Sequence, residues 1–66
     1  MLTVDEVRRR VEEIRAIAGD DEAAHSDEDS LRDLVLCAIA DGAPNAAELA
    51  AEALKTGEIE FARWCA

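Results

Sequence analysis

Leu31-Arg32-Asp33-Leu34-Val35-Leu36-Cys37-Ala38-Ile39-Ala40-Asp41 is the most apolar window of this 66-residue chain, and its reading decides the fold. At about 100° per residue, Leu31, Leu34, Val35, Ala38 and Ile39 share one broad helical face, while Leu36 and Cys37 fall outside it. A helix apolar on more than one side is normally buried on more than one side. The window is therefore expected at the centre, contacted by the helices before and after it. Apolar surface left over is available to a second copy or a partner.

On the N-terminal side, Thr3-Val4-Asp5-Glu6 has the spacing of a capping box, with Leu2 and Val7 placed as a hydrophobic staple. Val4, Val7, Val11, Ile14 and Ala18 then fall within one arc of about 80°, so a first helix is expected over 4–18, ended by Gly19. Asp20 or Asp21 can cap the second helix, expected over 21–41. If it runs unbroken, Glu28 lands in the apolar stripe between Ala24, Leu31 and Val35, at the margin and facing an Arg of the first helix. Ser26 followed by Asp29 offers a later start as an alternative.

On the C-terminal side, Gly42-Ala43-Pro44-Asn45 combines a helix-ending Gly, a Pro that cannot continue it and an Asn that can cap the next helix. A third helix over 46–55 would place Ala46, Leu49, Ala50, Ala53 and Leu54 inward and Glu48, Glu52 and Lys55 outward. Thr56-Gly57 breaks it. Glu58 to Cys65 reads as a short terminal helix, 58–65, that brings Phe61, Trp64 and Cys65 together. The expectation is all-α: a small bundle of three to four helices forming one domain over 1–66, with no competing strand pattern.

A chain of this length buries only ~60% of its unfolded surface and draws roughly 3–5 kcal/mol from one core, so a homodimer is a natural expectation and a cleft enzyme is not. The formal charge is −9, unevenly spread. Four Arg balance four acids up to residue 19, whereas Asp20, Asp21, Glu22, Asp27, Glu28, Asp29 and Asp33 are opposed by Arg32 alone. Direct binding of nucleic acid or of an anionic membrane needs a basic surface that this distribution lacks. Arg8-Arg9-Arg10 is the only basic run, and its members point about 100° apart on a helix. Met1-Leu2-Thr3-Val4 leads straight into charged helix, without a secretory apolar run or a bilayer span, so a cytoplasmic address is expected. There Cys37 is expected as a reduced core residue and Cys65 as a reduced terminal one, with a disulfide between them an open alternative.

Three constellations could carry a function. Glu22-Ala23-Ala24-His25 has the carboxylate and imidazole spacing that carboxylate-bridged metal bundles use, but its polar surroundings and single His favour a solvated first turn. No metal, other cofactor or catalytic residue is therefore expected. The acids from Asp20 to Asp33 could imitate a phosphate backbone and fill the basic groove of a nucleic-acid-binding protein; the plainer reading is solubility. Leu36 and Ile17, with Phe61 and Trp64, make a candidate interface, because aromatic residues often anchor protein contacts.

The stretches Ile14 to Ser26, Ala38 to Pro44 and Phe61 to Ala66 resemble those of a group of short acidic helical proteins of actinobacteria and their phages. The resemblance implies a cytosolic, phage or prophage setting and no activity, because its stretches are helix boundaries. The expected function is that of a small, acidic, non-enzymatic protein-binding module acting as a homodimer, with the phosphate-mimicking inhibitor and the metal-binding bundle as alternatives.

Overall fold

The chain winds into helices α1 (Val4–Ala16), α2 (Asp21–Ala40) and α3 (Ala46–Leu54), the last prolonged by a 3₁₀ turn over Lys55–Glu58. A computed structural model describes residues 1–63. The result is an all-α three-helix bundle in which each helix packs on the other two. The expectations placed on Trp64 and Cys65 lie outside the described residues.

Local chemistry sets the helix starts. The Glu6 amide donates to Thr3 Oγ1 at 3.2 Å, and the Thr3 hydroxyl donates to the Glu6 carboxylate at the same distance. For α2 the choice between two aspartates falls to Asp20, whose Oδ1 accepts from the Ala23 amide at 3.1 Å. From there α2 runs unbroken through Ser26. Asn45 precedes α3 without capping it; its Nδ2 donates to the Leu2 carbonyl at 3.4 Å.

The helix ends differ more from expectation. α1 stops at Ala16 instead of 18, because Ile17 and Ala18 donate three residues back, to Ile14 and Arg15, and so tighten the last turn. α2 closes on Gly42, which has φ +91°. Its amide donates to Ile39 O at 2.9 Å and that of Ala43 to Ala38 O at 3.0 Å, the two bonds of a Schellman turn. The expected terminal helix over 58–65 is absent from 59–63, where the chain runs as an extended strap starting at Ile59, φ −84° and ψ 128°.

The core comprises Val7, Val11 and Ile14 of α1, Ala24, Leu31 and Val35 of α2, Leu49 and Ala53 of α3, and Ile59 of the strap. Two parts of the expected pattern invert. In α3, Glu52 is buried and Leu54 faces outward, because α1 flanks the side of α3 that carries Glu52 and supplies Arg8 to it. Cys37, expected inside, is exposed, since the surface of α2 that bears it meets neither neighbouring helix. Among the described residues no helix is long and apolar enough to cross a membrane.

Candidate functional site

Glu28 lies on the buried side of α2 and is 3% exposed. It is not part of the acidic surface and does not face α1. Its partner is Arg63, at the end of the strap: Nε donates to Glu28 Oε1 at 2.9 Å and Nη2 to Oε2 at 3.1 Å. The same Nη2 donates to the Thr56 and Ile59 carbonyls at 2.8 and 3.0 Å, and the guanidinium sits 3.8 Å over the Phe61 ring. Arg32 adds a second charge at 3.9 Å. Burial pushes the Glu28 carboxyl up, but the Arg63 hydrogen bonds and the two guanidinium charges outweigh it and hold the group below its ordinary value.

Glu52 plays the matching part between α3 and α1. Its carboxylate accepts from Lys55 Nζ at 2.9 and 3.1 Å and from Arg8 Nε at 3.1 Å. The Lys55 and Arg8 hydrogen bonds hold it below the usual carboxylate range against the effect of burial. Both ion-pair clusters join elements together, and neither opens onto a cleft.

The remaining acids divide by role. Asp20 caps α2, and Asp21 accepts from the Ala62 amide at 3.1 Å, pinning the strap. Glu22, Asp27, Asp29 and Asp33 are exposed. Asp27 is turned toward α1, where it lines a small hollow with Arg10 and Glu13. Asp29 and Asp33 stand on the other side of α2, one turn apart. His25 turns to Asp29, Nε2 to Oδ2 3.6 Å. Among the described residues no group of three or more His, Cys, Asp or Glu is placed to hold a metal ion.

The described members of the expected interface set, Ile17, Leu36 and Phe61, differ in exposure. Ile17 and Phe61 are half-buried and pack against the core, whereas Leu36 is 62% exposed. Its companion is Leu54, 66% exposed, which the sequence reading had placed inward. Leu36 and Leu54 border a groove of about 190 Å³ between α2 and α3, whose floor is Val35, Ile39, Ala50 and Ala53. Among the described residues Arg32 is the only charged one lining it. A second hollow, on the opposite side of α2 between Leu2, Leu34, Cys37 and Pro44, also takes in Asp41 and is the more polar of the two.

No protein-family model, curated protein or solved structure matches the chain.

Chemically, the α2–α3 groove offers apolar contact and shape. Its lining brings together no acid, base or nucleophile, and the Arg32 guanidinium is already turned to Thr56 Oγ1 at 3.3 Å. Leu54 was recoverable from the sequence only by choosing the right phase for α3. It stands five residues, about 140° of helical turn, from the buried Leu49.

Proposed function

We propose that the protein is a non-enzymatic binding module that receives an amphipathic helix of another protein in the α2–α3 groove. One observation carries this reading: two leucines, both more than half exposed, border a groove whose floor is wholly apolar. Isolated exposed leucines are ordinary, but two that flank one hollow match the anchoring pattern of helix-in-groove recognition.

Surface and charge favour another protein over a second copy. The chain exposes 4268 Å², close to the ~4,100 Å² expected of a compact monomer of this mass. The fold therefore exposes no large surplus of surface that would demand a subunit partner. Two copies would also bring charges of −9 together, a mutual repulsion that an oppositely charged partner turns into attraction.

The test uses ¹⁵N-labelled protein and a neutral helical peptide with leucines at i, i+3 and i+7. The expected result is shift changes confined to residues lining the groove, abolished in Leu36→Asp and in Leu54→Asp. Both positions face solvent, so these variants keep the fold. Shift changes centred elsewhere, or none, would overturn the reading. A doubled solution mass that Leu36→Asp returns to the single value would assign the groove to a second copy.

A further inference from the structure

Building on the groove as a docking site, we infer that it selects helices with a Lys- or Arg-bearing flank and holds that flank over α2 instead of α3. The argument is charge complementarity along one edge. Asp33 precedes Leu36 by three residues and Asp29 precedes Arg32 by three, so both aspartates neighbour groove-lining side chains on the α2 edge. Both are exposed, and they are four residues apart. Arg32 could have neutralised this edge, but its Nη2 turns inward to Thr56 and toward Glu28. Asp29 has the imidazole of His25 beside it, and among the described residues no cation pairs with Asp33.

The α3 edge is different in kind. Its outward positions beside Leu54 are Ala47 and Ala51, the nearby Lys55 is committed to Glu52, and the next acid, Glu58, lies past the end of α3 in the 3₁₀ turn. The groove thus has one acidic bank and one neutral bank of small side chains. A helix seated on Leu36 and Leu54 meets carboxylates on one flank alone, which fixes its rotation as well as its charge preference. Two exposed pairs of this kind give roughly a three- to tenfold preference, screened by salt.

Three helical peptides with the same leucine face and with Lys, Gln or Glu at both flank positions test the inference, since these residues have similar helix propensities. The expected order of affinity is Lys over Gln over Glu, with the differences closing as ionic strength rises. In Asp29→Asn/Asp33→Asn the three affinities converge. Asp27→Asn, on the α1 side of α2, leaves the order intact. A spin label on the basic flank is expected to broaden resonances of residues 29–33 more strongly than those of Ala47 and Ala51. Equal affinities for the three peptides, or stronger broadening over α3 than over residues 29–33, would overturn the charge inference while leaving the groove as a docking site. Failure of all three to bind would overturn the groove itself.

Discussion

Arg63 serves five acceptor contacts with one guanidinium: two on Glu28 and three on backbone carbonyls, those of Thr56, Ile59 and Phe61. Removing it strands a buried carboxylate, a change that typically costs 3–5 kcal/mol; with Arg32 still nearby and Arg63 one-third exposed, about 2 kcal/mol is expected here. Urea unfolding of Arg63→Ala checks this figure, which is a large part of the stability of so small a core. The pair also carries a pH signature. Because the folded Glu28 carboxyl lies below its ordinary value of 4.5, its contribution is complete above that pH and is lost as pH falls through the lowered folded value. The stability gap between the native chain and Glu28→Gln should therefore stay constant from neutral pH to about pH 5 and close on further acidification. The sequence showed that Glu28 falls within an apolar stripe. It did not show which cation answers it, because reading 58–65 as a helix put Arg63 out of reach.

At the scale of elements, the two longer helices were legible and the short segments were not. Val7, Val11 and Ile14 are each flanked by charged residues, so only one phase buries them, and in α2 the helical spacing of Ala24, Leu31 and Val35 marks one face. In α3, alanine occupies five of nine positions and leaves few bulky residues to mark a face. Its phase then rests on Leu49 and Leu54, and local pattern alone cannot choose which of them goes inside. The strap has the same ambiguity, since Ile59, Phe61 and Arg63 also alternate with a period of two, the signature of extended chain. The turn at Gly42 was legible, because its Gly-Ala-Pro order permits few geometries. Gly42→Ala meets no steric obstacle at the Cβ, yet it forces φ +91° on a residue that disfavours it. A loss of about 1 kcal/mol is expected, seen as a lower thermal midpoint with α2–α3 packing retained.

The molecule measures 34 × 20 × 15 Å and, among the described residues, buries nine apolar ones. Its fold class followed from periodicity, but the α2–α3 groove did not, because exposure depends on which flank of each helix a neighbour covers. Leu36 was visible as surplus, whereas the groove it borders exists only once α3 is docked. The homodimer expectation came from the small core and from the apolar surface left over on residues 31–41. With the surface of an ordinary monomer and a charge of −9, the chain is expected to sediment as a single copy at tens of micromolar near physiological salt. A stable dimer under those conditions would restore the sequence-based expectation.

The strap reaches α2 across long stretches of chain, 35 residues from Arg63 back to Glu28 and 41 from Ala62 to Asp21. The α2–α3 hairpin, by contrast, closes through a tight local turn. Over 59–63 the strap forms no helix and is held to α2 by hydrogen bonds to the Asp21 and Glu28 side chains. Release of the strap would therefore uncover the interior around Ile59 while leaving the backbone hydrogen bonds of all three helices in place.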